Sequence, residues 1–230
     1  MANTAEISAR QVSVDLNPPN ESTTIPRLQI SRQTRLLHLG CFDAPMDGWV
    51  NTDITPHIWI SRIPFAARAL SLVGKMPPER LHQHRNGIFR RVTYLNVARN
   101  FPYRSESFRA VFTCHMLEHL YPPVAKHCMR ECHRVLCPGG VLRIVIPDLD
   151  RMVSKYDPAS PTPFLQNIFE YGRGLEKNSH HWHYNYCSLK AALLDAGFSR
   201  VERRDFQVGE CPDVKKLDRR PESLFAEAYK

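Results

Sequence analysis

The feature that most constrains this chain is a series of short apolar runs, each stopping at a glycine or a polar residue. Leu36-Leu37-His38-Leu39 stops at Gly40, and Gly48-Trp49-Val50-Asn51-Thr52 stops at Asp53. Val92 to Asn96, Ala110 to Cys114 and Val141 to Ile146 repeat the pattern, the last apolar throughout except at Arg143. Runs of this length suit strands buried on both faces. Helical spacing falls between them: Val124, Cys128, Cys132 and Val135 share one face of Pro122 to Val135, which Cys137-Pro138-Gly139-Gly140 is expected to end. Leu189 to Ala196 is expected to open on Ser188 as N-cap and to close at Gly197. Ser199 to Phe206 and Leu224 to Ala228 supply two further strands. Such alternation predicts an α/β fold with a mostly parallel sheet covered on both faces, whose ligands bind beyond the carboxyl ends of the strands.

With 230 residues and 43% hydrophobic content, the chain can bury one sizeable core. Residues 1–33 are polar, contain Asn17-Pro18-Pro19-Asn20 and show no sustained period, so we expect an arm there and one domain over residues 34–230. No apolar stretch reaches the roughly 20 residues that cross a bilayer, and no signal-peptide pattern opens the chain, which predicts a cytoplasmic protein. Seven cysteines, several inside expected helices and strands, argue for buried thiols over a disulfide framework. The net charge of +8 favours anionic partners without choosing among them.

From Trp59 to Lys75, Ile60, Ile63, Ala67, Leu70 and Val73 fall near one face, which predicts an amphipathic helix. Arg80, His82, His84, Arg85, Arg90 and Arg91 follow as the densest positive cluster, so residues 56–91 form a basic helical insertion. A solvated face and an anion-binding face both fit it.

A nucleoside cofactor on such a sheet needs close backbone approach after the first strand, an acid near the ribose after the second, and a polar group for the base. Gly40, Asp53 and Asn96 occupy those slots in order. Leu37-His38-Leu39-Gly40-Cys41, Gly48 to Ile54, Tyr94-Leu95-Asn96, Ser107 to Val111, His115-Met116-Leu117-Glu118-His119-Leu120 and Arg130 to Gly140 together resemble the class I methyltransferases, specifically the small ones encoded near glycosyltransferase and natural-product genes. The resemblance implies a Rossmann-like, doubly wound, seven-stranded sheet with an antiparallel final strand, and S-adenosylmethionine as cofactor. It places Leu39, Gly40, Cys41 and Phe42 at the methionine end, Asp53 and Ile54 at the ribose, Asn96 and Val97 at the adenine, and His115 beside the methionine portion. The chain departs from the family pattern at Phe42, Asn96 and Arg109, where glycine, aspartate and aspartate are favoured. The Phe42 side chain either fills cofactor space or points away and stiffens the loop.

Methyl transfer is an in-line displacement that asks the protein to position the acceptor and remove a proton. Candidate bases are Glu118 and His119 after the fourth strand, Asp148 after the fifth, and His181. Glu118 and His119 could equally fix their loop, and Asp148 could cap a helix. His180-His181-Trp182-His183-Tyr184-Asn185-Tyr186 suits an acceptor lid, with His180, Trp182, His183, Tyr184 and Tyr186 as substrate contacts. The spacing of these histidines fits no common zinc pattern, and Cys128 and Cys132 face the helix interior, so no metal is expected. Leu217 to Leu224 carries the basic pair Arg219-Arg220, which suits an anionic acceptor or a salt-bridged turn.

These readings predict methyl transfer to an oxygen or nitrogen of a small molecule or saccharide, in natural-product or glycan biosynthesis. A degenerate member acting as a binding or scaffolding subunit is the first alternative, suggested by Phe42 and Asn96. Nucleic-acid methylation is the second, suggested only by charge, so no nucleic-acid partner is expected. Oligomeric state is left open.

Overall fold

The apolar runs pair into a single sheet. In the computed structural model, which describes residues 35–169 and 179–230, seven strands form: β1 (Arg35–Leu39), β2 (Trp49–Asp53), β3 (Val92–Tyr94), β4 (Phe108–Cys114), β5 (Leu136–Ile146), β6 (Arg200–Arg204) and β7 (Leu224–Tyr229). Their order across the sheet is β3-β2-β1-β4-β5-β7-β6. The first five run parallel, with Leu39 beside Thr52 on one side and Thr113 on the other, and β7 is antiparallel to both neighbours. The expected arm at residues 1–33 lies outside the described residues.

Alternation along the strands sorts the core onto two faces. Leu37, Leu39, Val111, Leu142 and Ile144 pack with Cys128, Cys132, Leu189 and Leu193, which are supplied by α4 (Pro122–Val135) and α7 (Tyr186–Asp195). Leu36, Ala110, Phe112, Val141 and Val145 form the second cluster with Leu217 and Phe225. The buried cysteines of α4 are thus core residues, as their spacing predicts.

Three boundaries differ from expectation. The helix α4 ends at Val135 without a glycine cap, because Cys137 to Gly140 already belong to β5, and a Cβ at Gly140 would lie 2.8 Å from the Cys137 carbonyl. Asn185, not Ser188, caps α7, and Ser188 returns the bond in a capping box. The amphipathic stretch is broken into α1 (His57–Ile60) and α2 (Ala66–Leu72) around Pro64 and Phe65, the latter at φ 60°. Its apolar side chains do not share a buried face, since Ile63, Phe65, Leu72 and Val73 are exposed.

The basic cluster lies on α3 (Pro78–Arg85) and the 3-10 turn Ile88–Arg91. Two of its arginines pair with the loop after β1, Arg80 with Asp43 and Arg91 with Asp47. No helix among the described residues is long and apolar enough to cross a membrane.

Candidate active site

The strand order reverses direction between β1 and β4, and two cavities open at the carboxyl edge around this point. The first, of about 270 Å³, is lined by Gly40, Asp53, Ile54, Asn96, Met116, His119 and His181, among others. Gly40 sits at φ +65°, and a Cβ there would come within 2.7 Å of Met116 Cγ, so only glycine admits this approach. Asp53 ends β2 with its carboxylate held by two backbone donors, Phe42 N–H to Oδ2 at 2.9 Å and Thr55 N–H to Oδ1 at 2.7 Å. Asn96 turns its own loop, its Oδ1 accepting from Ala98 N–H at 2.9 Å. Leu95, Val97, Ala98 and Leu120 give this end an apolar lining.

Several expected cofactor contacts lie elsewhere. Leu39 is fully buried in the core. Cys41 packs against Ile58 and Val92, where burial, then the Asp53 charge, pushes its thiol up to about 12. The Phe42 ring faces away from the cavity toward Phe89 and His57, with the Arg80 guanidinium 4.4 Å above it. Its backbone takes φ 43°, a left-handed conformation that glycine adopts without strain. Met116 lines the cavity in the place expected for His115.

His115 itself, at φ 50°, turns to the second cavity, of about 230 Å³. His180, Asp148, Ser223, Arg151, Lys155 and Arg220 share its lining. Here His115 Nδ1 lies 3.0 Å from Glu118 Oε1, and Nε2 lies 3.0 Å from Ser223 Oγ. With the proton on Nδ1, the ring donates to Glu118 and accepts from the Ser223 hydroxyl. Glu118 is 1% exposed, and its charge adds to burial in pushing the nearby Cys114 thiol up to about 12.

Of the other candidate bases, His119 reaches the first cavity, with Nδ1 3.4 Å from the Ser179 carbonyl. Asp148 is committed structurally: Oδ1 caps α5 (Leu149–Val153) through Asp150 N–H, and Oδ2 accepts from Arg203 at 3.0 Å. His181 donates its backbone N–H to the Glu118 carbonyl at 2.7 Å and stacks its ring on Tyr121 at 4.2 Å. The aromatic loop divides likewise. His183 Nε2 donates to the Ile168 carbonyl at 2.7 Å, Tyr184 is buried in the core, and the Tyr186 hydroxyl donates to the Val201 carbonyl at 3.1 Å. Tyr184 and Tyr186 therefore hold the fold, and Trp182 is half exposed. The residues missed from sequence are Met116, Ser223, Arg151 and Lys155. Of these, Met116 and Ser223 lay in motifs that marked the site, His115 to Leu120 and Leu217 to Leu224.

The sheet order with its antiparallel seventh strand coincides with a sequence-family match, described as a methyltransferase domain, over residues 76–144. That segment, under a third of the chain, is similar to a methyltransferase domain. S-adenosylmethionine is the cofactor that the sequence resemblance implies. The first cavity passes a physical test of fit for it, because the bare backbone at Gly40 and the carboxylate of Asp53 border one cleft with an apolar end. Among solved structures, a methyltransferase from Archaeoglobus fulgidus is 16% identical, with a TM-score of 0.49 and coverage of 86% of each chain. One from Mesorhizobium loti is 17% identical (TM-score 0.45), covering 86% of this chain and 91% of that one. The methyltransferase SibL is also 17% identical (TM-score 0.45), covering 89% of this chain but 52% of its own. The chain spans about half the length of SibL and of a Nostoc punctiforme protein, 53% in the latter case. No curated protein matches the chain in sequence.

Proposed function

We propose that the protein transfers a methyl group from S-adenosylmethionine to an oxygen or nitrogen of a small, anionic acceptor. The observation that carries this reading is the adjacency of the two cavities, one suited to a nucleoside and the other lined by three cations against two carboxylates, Asp148 and Glu222, meeting at the segment His115 to His119. When bound, the cofactor supplies an electrophilic methyl on a sulfonium, whose sulfur–carbon bond breaks as the bond from carbon to the acceptor forms. Asp53 would hold the ribose hydroxyls, Asn96 and Val97 the adenine, and Gly40 and Met116 the methionine end. Arg151, Lys155 and Arg220 would bind the acceptor's carboxylate or phosphate.

The acceptor's proton passes to His115, whose ring is fixed by Glu118 on one side and reaches the acceptor cavity beside Ser223 on the other. His119, on the cofactor side, positions the reacting groups. The hydroxyl and protonated amine classes need the same base, so this arrangement serves either.

The test is methyl transfer from labelled S-adenosylmethionine to a panel of small hydroxylated or aminated carboxylates and phosphates, beside their neutral analogues. We expect turnover on anionic members, and Arg151→Ala and Arg220→Ala should each lower kcat/KM for them by about tenfold while sparing cofactor affinity. Preference for neutral acceptors would reject the anionic cavity, and failure to bind the cofactor would reject methyl transfer.

The scaffold alternative rests on Asn96 and Phe42. Because its ring faces Phe89 and Arg80, we expect Phe42→Gly to change S-adenosylhomocysteine affinity by less than about threefold in isothermal titration. A gain of tenfold or more would show that the ring obstructs the cleft.

A further inference from the structure

Between the two cavities lies a group of side chains that a reading confined to local spacing does not join. One ligand atom from each of Glu118, His119 and His180 lies within 4.8 Å of the others. His119 lines the cofactor cavity and His180 the acceptor cavity, so the group forms the wall between them. Glu118 is the decisive member. It is 1% exposed; Oε1 meets His115, but Oε2 is buried with no hydrogen-bond partner among the described residues. A carboxylate removed from water with half its acceptors unmet is costly unless a charge compensates it. No lysine or arginine pairs with it among the described residues.

We propose that Glu118, His119 and His180 bind one divalent first-row transition-metal ion. Two imidazoles and a carboxylate suit zinc, manganese, iron(II) or cobalt(II) better than magnesium or calcium, which prefer all-oxygen shells. Ligands about 2.1 Å from a shared ion lie roughly 3.4 Å apart in tetrahedral geometry, so the present separation closes by small side-chain rotations. Three protein ligands leave a coordination position open at the boundary of the two cavities. An acceptor hydroxyl bound there would ionise more readily, and its proton would leave to His115, which contacts the same carboxylate through Oε1. Metal binding itself does not depend on the proposed methyl transfer; only this role for the open position rests on that reading. His181 and His183 take no part, since one stacks on Tyr121 and the other donates to Ile168.

The test uses the full chain, stripped with a chelator and titrated with cobalt(II) and zinc(II) separately. We expect one equivalent per chain, a visible cobalt(II) ligand-field spectrum and a rise in Tm on loading. Glu118→Gln and His119→Asn should each weaken binding by at least about tenfold and remove the Tm rise, whereas His82→Gln on α3 should change neither. If Glu118→Gln does not fold, His119→Asn carries the test, because His119 is only partly buried. No stoichiometric binding at about 100 µM metal, or equal binding by both variants, overturns the site. Titrating S-adenosylhomocysteine into the stripped protein separates the two readings. Cofactor binding by a chain that takes no metal removes the metal site alone, and metal binding by a chain that takes no cofactor removes methyl transfer alone.

Discussion

Asp53→Ala is expected to weaken S-adenosylmethionine binding by about 100-fold, measured by isothermal titration on the unliganded protein. The carboxylate has two functions. Its lone pairs beyond those used by Phe42 N–H and Thr55 N–H face the first cavity, where two ribose hydroxyls would donate to it. Charge-assisted hydrogen bonds contribute about 1.5 to 3 kcal/mol each, so losing two of unequal quality costs about 2.7 kcal/mol, or 100-fold. The same substitution frees the Phe42 and Thr55 amides and loosens the loop that carries Gly40, which adds to the loss. Asp53→Asn separates these contributions, because its single carbonyl oxygen can keep one of the two backbone bonds while its amide cannot accept from a hydroxyl. An affinity for Asp53→Ala within threefold of the native value would mean that the ribose lies elsewhere.

The position of Asp53 was legible in the sequence because an apolar run that stops at an acid has one geometric meaning on a parallel sheet. The strand ends at the edge, and its last polar side chain faces the crevice. The resemblance also places Leu39 and Cys41 at the cofactor, but their side chains find other surroundings. They flank Gly40 in the chain, but strand alternation sends Leu39 into the core, and Cys41 packs under α1 against Ile58 and Val92. Phe42 could not be resolved from sequence because its direction is set by φ 43° and by Phe89, His57 and Arg80, all distant in the chain.

The motif His115 to His119 shows the limit from another side. The resemblance places His115 beside the methionine portion, but the left-handed turn at His115 sends that ring to the acceptor cavity while Met116 and His119 line the cofactor cavity. The partner of His115 on that side is Ser223, 108 residues away, which no periodicity connects to it. Likewise Trp59 to Lys75 has the spacing of a helix face, but the spacing rule assumes an unbroken helix, and Pro64 with Phe65 at φ 60° breaks it.

Arg143→Met is expected to destabilise the protein by about 3 to 5 kcal/mol in urea or thermal unfolding, a large fraction of the roughly 5 to 15 kcal/mol that holds a domain together. Arg143 is the one interruption in the apolar run of β5 and is fully buried. Its guanidinium pairs with Asp218, lies 3.5 Å from Glu227, and donates to the carbonyls of Val208 at 2.8 Å and Asp205 at 3.1 Å. Methionine matches the volume but leaves the buried Asp218 carboxylate without its cation and Glu227 with Arg204 alone. Burial alone would push the Glu227 carboxyl up, but the amides of Glu210 and Cys211, the Tyr229 hydroxyl and Arg143 together hold it below its usual range. Combining Arg143→Met with Asp218→Asn should recover part of the loss, because the amide oxygen still accepts from Gln207 N–H while the unpaired buried charge is removed. Failure of that recovery would assign the cost to packing instead. The clamp also bears on the site: it fixes Asp218 two residues before Arg220, and from there the chain reaches Ser223 at the His115 ring. Loosening it should therefore raise KM for an anionic acceptor at temperatures where the fold still holds, which separates anchoring of the acceptor cavity from loss of the fold.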